Sequence, residues 1–299
     1  MLLAYNTNGF AHHDPRDAIA LLAEIGYRGV GLTIDHGLLS PFSCDHLADV
    51  NAIRELLDRH GMRSVIETGA RFLLDPRTKH EPTLMTAEAA QRARRIEFYR
   101  YAIDVARELD SDCVSIWSGI LREPLDESAK FDRWKPDASA RGSPPEPAVE
   151  SAAFERLIDG LRQVCDYAAA KQVRIAFEPE PGMFIDTVDR FEQLLDRLGD
   201  APLSLTLDIG HLHCQGETPI AAQIRRWRDR LANVHIEDMS RGVHEHLMFG
   251  EGEIDFAPVI AELKAIDFRG LVQVELSRHS HDAPEAARRA FDFLKRVTG

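Results

Sequence analysis

Eight short runs rich in Val, Ile and Leu recur along the chain with segments of helical spacing between them, and this alternation restricts the fold more than any other feature. The runs are LLAYNTN (2–8), GVGLTID (29–35), RSVIET (63–68), CVSIWS (113–118), RIAFEPE (174–180), LSLTLDI (203–209), ANVHIED (232–238) and LVQVELS (271–277). Strand-length apolar runs spaced by helical segments describe parallel β/α units, because a parallel strand needs a long crossover before its partner. Each run is followed by a segment able to form a helix, in two cases only after a long connection. Eight units in 299 residues match one closed barrel, a fold that commonly takes about 250 residues. A doubly wound sheet would use fewer strands, and no G-x-G-x-x-G turn follows the first run to favour a dinucleotide site. The expected architecture is α/β, a single (β/α)8 TIM barrel over residues 1–299.

Helix punctuation supports this reading. Asp14 with Pro15 offers an N-cap and a proline at the first helical position, where its missing N–H costs nothing, and Gly26 stands at the matching stop. Thr218 with Pro219 repeats that opening, Asp282 and Glu285 have the spacing of a capping box, and Gly61 and Gly199 are further stops. A last helix from about Ala283 to Val297 brings the expected count to eight.

The composition, 44% hydrophobic and 28% charged, is that of a soluble globular protein. Lys and Arg total 36 against 49 Asp and Glu, a formal charge of −13 that repels a phosphate backbone, so nucleic acid is not an expected partner. No apolar run approaches the roughly 20 residues needed to span a bilayer. MLLAYNTNGF has no basic region and turns polar by Asn6, so it reads as a first strand and not a signal peptide; a cytoplasmic protein without a membrane partner is expected. Cys44, Cys113, Cys165 and Cys214 are widely spaced with no C-x-x-C pair, which suggests neither a zinc ribbon nor a disulfide framework. Cys113 and Cys165 read as core, and Cys214, though close to His211 and His213, is not expected to be a ligand.

Chemistry concentrates at the ends of the later runs. Glu178, Asp208, His235 and Glu275 each fall near the carboxyl end of an otherwise apolar strand, from the fifth run to the eighth. In a parallel barrel those ends converge on one face. Three carboxylates buried together would cost more than a domain can spare unless a positive charge sits among them. The four runs place no Arg or Lys beside the acids, whereas one imidazole with three carboxylates suits one divalent ion of Mn, Mg, Co or Zn. The stretch NVHIEDMSRGVHEH (233–246), which alone reads as a solvated acidic loop, thereby gains partners elsewhere in the chain. Two long connections, 71–85 and 121–147, also emerge on that face and are candidate lids, with a flexible insertion as the other reading of the second.

FEPEPG, LDIGHLH, VHIED, GEGEIDF and VQVELSRH, in this order and on these strands, resemble the motifs of the xylose-isomerase-like TIM barrels. That family includes sugar-phosphate isomerases and epimerases, ketose 3-epimerases, inosose isomerases and dehydratases, and apurinic endonucleases. The resemblance covers nearly the whole chain and is most specific in its second half. It implies that Glu178, Asp208, His235 and Glu275 are metal ligands and that His211 and Arg241 hold substrate oxygens. The endonuclease branch binds further zinc through histidines after strands three and four, where this chain has Glu67 and Trp117. His246 matches a histidine of that branch's third zinc and His244 replaces an aspartate, so a second metal with His211 remains an open alternative to hydrogen bonding. The ketose 3-epimerases place another glutamate six residues beyond the strand-five ligand; here that position is Phe184, and Glu180 lies only two residues on.

The resemblance implies a metal-dependent isomerase or epimerase of a small polyhydroxy substrate. A cation that chelates the carbonyl and hydroxyl oxygens of a hydroxyketone stabilises the enediolate left when the neighbouring proton is removed. Glu178 and Glu275 would flank the substrate carbon as base and acid, with Asp208 and His235 mainly holding the metal. Glu67, Trp117 and His246 are further pocket candidates, with packing or solvated-loop roles as the alternative. A lyase acting on an inosose or dehydroshikimate-like acid, and a non-catalytic metal or carbohydrate binder, stay open beside this reading. The missing zinc ligands and the acidic surface count against DNA cleavage, and a homo-oligomer is compatible with the sequence.

Overall fold

The computed structural model describes residues 1–69, 71–122 and 146–299. Most of the connection 121–147 therefore lies outside the described residues. The chain alternates β1 (Leu2–Asn6), α1 (Pro15–Ile25), β2 (Gly29–Thr33), α2 (His46–His60), β3 (Arg63–Glu67), α3 (Ala89–Glu108), β4 (Val114–Ile116), α4 (Pro147–Lys171), β5 (Ile175–Phe177) and α5 (Val188–Leu198). There follow β6 (Leu203–Asp208), α6 (Ile209–Gln215), α7 (Ile220–Trp227), β7 (Leu231–Ile236), an antiparallel pair β8 (Asp238–Ser240) and β9 (Val243–Leu247), α8 (Phe256–Ala265), β10 (Leu271–Val274) and α9 (Ala283–Thr298). Eight parallel strands close in the order β1-β10-β7-β6-β5-β4-β3-β2, so each expected run supplies one stave.

The strands are buried on both faces, which is why they read as continuous apolar runs and not as alternating ones. Ala4, Val65, Ala176 and Ala232, from β1, β3, β5 and β7, form a small cluster with Cys113 and Leu271, the alternate-strand layering expected inside a filled barrel. A polar layer includes the Ser115–Thr206 hydroxyl pair at 2.9 Å and Gln273, whose side chain fills the space that a Cβ on Gly31 would need. The remaining core lies between strands and helices; on α9 the buried stripe is Ala286, Ala287, Ala290 and Leu294.

Asp14 caps α1 through a 2.8 Å bond from the Arg16 N–H, and Gly26 and Gly61 end α1 and α2 with positive φ of 124° and 61°. Two expected openings differ. At α7, Pro219 itself occupies the cap position and Thr218 makes no cap bond, so the helix begins one residue later. At α9, Asp282 closes a 3-10 turn over Ser280–Asp282 with ψ at 40°, outside the extended region an N-cap uses, and the capping box with Glu285 does not form. Among the described residues there are nine α-helices where eight were expected, because LDIGHLH continues from β6 directly into the short α6 before α7 begins. The β8–β9 hairpin was also not anticipated. All four cysteines are free, with Cys113, Cys165 and Cys214 buried. Among the described residues no helix is long and apolar enough to cross a membrane.

Candidate metal centre

Four adjacent staves carry the four expected ligands to one point. Asp208 ends β6 in register with His235 of β7, and His235 is in register with Gln273 of β10, two residues before Glu275. Glu178 continues β5, its N–H bonded to the Ile116 carbonyl at 2.8 Å. One ligand atom from each of Glu178, Asp208, His235 and Glu275 lies within 4.8 Å of the others. His235 Nδ1 is 3.0 Å from Glu178 Oε1, 3.1 Å from Glu275 Oε2 and 3.9 Å from Asp208 Oδ2. Glu178, Asp208 and His235 are buried, while Glu275 is partly exposed and accepts a 2.8 Å bond from Asn8 Nδ2. Asp208 does two jobs: Oδ1 caps α6 by accepting from the His211 N–H at 2.7 Å, and Oδ2 is buried without a hydrogen-bond partner.

Among the described residues no Arg or Lys side chain is hydrogen-bonded or ion-paired to these three carboxylates. Burial pushes the Glu178 carboxyl up to about 8, His235 opposing and Glu275 and Asp208 adding to the rise. Burial would also raise Glu275, but the hydrogen bond and charge of His235, with His246 and His211 behind it, hold it well below the usual carboxylate range. For His235 itself, burial acts downward, and Glu178 and Glu67 overcome it and hold the imidazole well above its ordinary value. His235 is thus the group whose charge offsets the crowded carboxylates. The orphaned Asp208 oxygen, the converging oxygens and the hard-oxygen-plus-imidazole donor set fit a divalent metal ion.

Beneath the four, a polar floor fixes His235. Its Nε2 lies 3.0 Å from Glu67 Oε1, which also accepts from Gln273 Nε2 at 2.9 Å and Asn233 Nδ2 at 3.3 Å; Gln273 in turn donates to Asn233 Oδ1 at 2.7 Å. With Nε2–H given to Glu67, the Nδ1 lone pair is the one offered to a cation, the carboxylate–histidine arrangement that orients metal-binding imidazoles. Glu67, expected as a substrate contact, meets the Nε2 edge of the ring, the nitrogen other than the one that faces Glu178 and Glu275.

The other expected residues divide. His211 joins the centre, Nδ1 3.7 Å from Glu178 and Nε2 3.6 Å from Asp208 Oδ2. With His244 and His246 it forms a second group whose ligand atoms lie within 4.8 Å of one another, the Nε2 atoms of His211 and His244 being 3.1 Å apart. Arg241 stands at the exposed hairpin turn, where its N–H donates to Glu253 Oε2 at 2.9 Å, and it is not joined to the four. Trp117 is buried, with its ring 4.8 Å from the His80 ring and beneath the Arg95 guanidinium. Phe184 packs on Phe154, while Glu180 sits half-buried with its carboxyl pushed up to about 7 by burial, against the pull of Lys79.

Sequence reading missed Asn8, Asn233, Gln273 and Glu237. The period of a strand contained the last three: residues 233, 235 and 237 of β7 and its extension share one side, as do 273 and 275 of β10 and its extension. Glu237 is fully buried, and neither of its carboxylate oxygens has a hydrogen-bond partner. Burial raises its pKa well above the usual range, and His246 is the group that pulls it back.

Residues 19–297 match the protein family described as xylose isomerase-like TIM barrel. The chain is 28% identical over 165 residues to inosose dehydratase of Clostridium beijerinckii, covering 49% of this chain and 55% of that protein. It is 27% identical over 128 residues to a putative L-ribulose-5-phosphate 3-epimerase of Escherichia coli, covering 41% of this chain and 44% of that protein. These alignments therefore span about half the length of the curated relatives. Among solved structures, D-allulose 3-epimerase from Methylomonas sp. superposes with a TM-score of 0.72 at 21% identity over 99% of this chain and 98% of that one. The 3-keto-D-glucoside 4-epimerase of E. coli gives 0.74 at 16% identity, with 99% of each chain covered. At these identities the structural likeness is one of fold.

Proposed function

Because the chain belongs to the xylose isomerase-like TIM barrel family, we propose that it is a divalent-metal-dependent isomerase or epimerase that moves a proton beside the carbonyl of a small sugar, ketose or related polyol. The observation that carries this reading is the pair Glu178 and Glu275, which approach His235 Nδ1 at 3.0 and 3.1 Å from strands on opposite flanks of it. Two carboxylates facing each other across a small cleft can take a proton from one face of a carbon and return one to the other. When bound, a divalent cation supplies Lewis-acid stabilisation of charge developing on substrate oxygen. Glu178, Asp208, His235 and Glu275 would hold that ion. Asp208 and His235 are the more buried and the better fixed, the first by the α6 N-terminus and the second by Glu67, so they serve mainly to position it. His211, whose ring borders both the centre and the cleft, would contact a substrate oxygen.

A second reading, a dehydratase, is favoured by the similarity to inosose dehydratases. It needs the same proton abstraction, followed by loss of a β-hydroxyl as water. The test is to incubate metal-loaded protein with ketoses, inososes and dehydroshikimate-like acids in deuterated water and follow them by NMR. Deuterium entering beside the carbonyl without loss of water supports the isomerase or epimerase. Loss of water supports the dehydratase. Neither event, with stoichiometric metal bound, would mean a binding protein and overturn both.

A further inference from the structure

Glu237 poses a problem that the four-ligand centre does not solve. It is fully buried, both oxygens lack hydrogen-bond partners, and its nearest ionic neighbour is His246, with Nδ1 at 3.8 Å from Oε2. A buried carboxyl with so little compensation works against folding and is rarely retained without a task. The surroundings are shaped to admit it. A Cβ on Gly210 would overlap Glu237 Oε1, so the first turn of α6 stays bare where the carboxylate lies. Glu237 immediately precedes β8, and His246 lies in β9 beside Leu247, the partner of Asp238, so the hairpin brings the two together.

A tighter version of this arrangement exists two residues back along the chain, where Glu67 backs His235 at 3.0 Å and fixes which ring nitrogen faces the centre. His246 Nδ1 is sealed inside against Glu237, while 13% of the side chain remains exposed, and its ring borders those of His211 and His244 at 5.9 and 5.4 Å. We propose that Glu237 is a positioning residue that holds His246 by Nδ1, so that the Nε2 edge faces the cleft and meets a hydroxyl of the polyhydroxy substrate. The substrate contact rests on the functional reading above; the orientation of the ring does not.

Two arms test this on the full-length, metal-loaded protein. In the first, 15N-histidine labelling and long-range proton–nitrogen NMR report which nitrogen of His246 carries the proton, the signal being assigned by its loss in His246→Asn. Wild-type protein should show a proton fixed on Nδ1. Glu237→Met should abolish that signature and leave the His235 signals in place, whereas Glu237→Gln, which keeps an acceptor oxygen, should preserve it. If Glu237→Met does not fold, Gly210→Ala, which displaces the carboxylate, should give the same change. An unchanged His246 signature in the folded variant overturns the proposal. In the second arm, Glu237→Met and His246→Asn should each lower kcat/KM by about 10- to 100-fold with metal content unchanged. The double variant should fall no further than His246→Asn alone, since one residue acts through the other. Additive losses, or wild-type turnover in Glu237→Met, overturn the proposal. Should no substrate be turned over, the functional reading fails while the NMR arm still decides the positioning.

Discussion

At the scale of single residues, the proposed function separates groups that would move protons from groups that hold others still. Glu275 is partly exposed and bonded to Asn8, so in the proposed reaction it would reach a substrate without leaving the cluster. Glu275→Gln keeps shape and hydrogen bonding but removes the charge. It should cut turnover by about 10²- to 10⁴-fold with an unchanged circular dichroism spectrum, and near-normal turnover would exclude its role. Glu67→Gln should leave the chemistry groups intact but loosen His235, lowering divalent affinity by about 10- to 100-fold in a titration calorimeter. The four ligand candidates were legible because each interrupts an apolar run at a position where burial of a charge needs a reason. Glu67 was legible as a site residue but its place was not, since a glutamate ending a strand looks the same whether it faces substrate or supports a histidine four staves away across the barrel. Asn233 and Gln273 left no such mark: neutral amides in a strand cost little by themselves, and only their mutual bonds reveal their task.

Secondary-structure elements explain how those residues are aimed. Alternation along β7 sends Asn233, His235 and Glu237 to one side, and the hairpin that follows returns His244 and His246 toward α6. Asp238 anchors the next loop by accepting from Gly250 and Ile254 N–H groups at 2.8 and 3.1 Å, which accounts for the GEGEID motif in structural terms. The eight strands were legible because parallel, doubly buried strands are continuous apolar runs. The α6–α7 division was not, because Asp208 is at once a strand end and a helix cap, and nothing in residue type alone separates those roles. One pH effect belongs to this scale. Glu217 accepts from the Val188 N–H at the start of α5 at 3.1 Å, and burial pushes its pKa up to about 7 from 4.5. A folded-state pKa above the unfolded one means ionisation opposes folding, with no penalty below about 4.5 and the full penalty above about 7. Glu217→Gln should therefore match wild-type thermal stability at pH 4 and exceed it at pH 8; an equal gap at both would refute the assignment.

For the whole molecule, the closed sheet and the acidic centre pull in opposite directions. The barrel places three carboxylates where they repel, in a chain that already carries a formal charge of −13. A cation that binds only the folded form shifts the equilibrium by mass action, about 2.7 kcal/mol at a hundred times its Kd. Chelator-treated protein should melt at a lower temperature than protein supplied with Mn, Mg, Co or Zn. That difference should shrink in Asp208→Asn, which keeps the α6 cap but loses the charge; equal melting with and without metal would contradict a cation site. The closure also has a bearing on how the protein is made. The seam of the barrel joins β1 to β10, where the edge of Leu2 through Tyr5 that faces away from β2 pairs with Leu271 through Val274. A chain growing from the ribosome keeps that first edge unmated, and lacks Glu275 altogether, until nearly all of these residues have been synthesised. Assembly of the four-residue cup is thereby deferred until the last stave arrives beside the first.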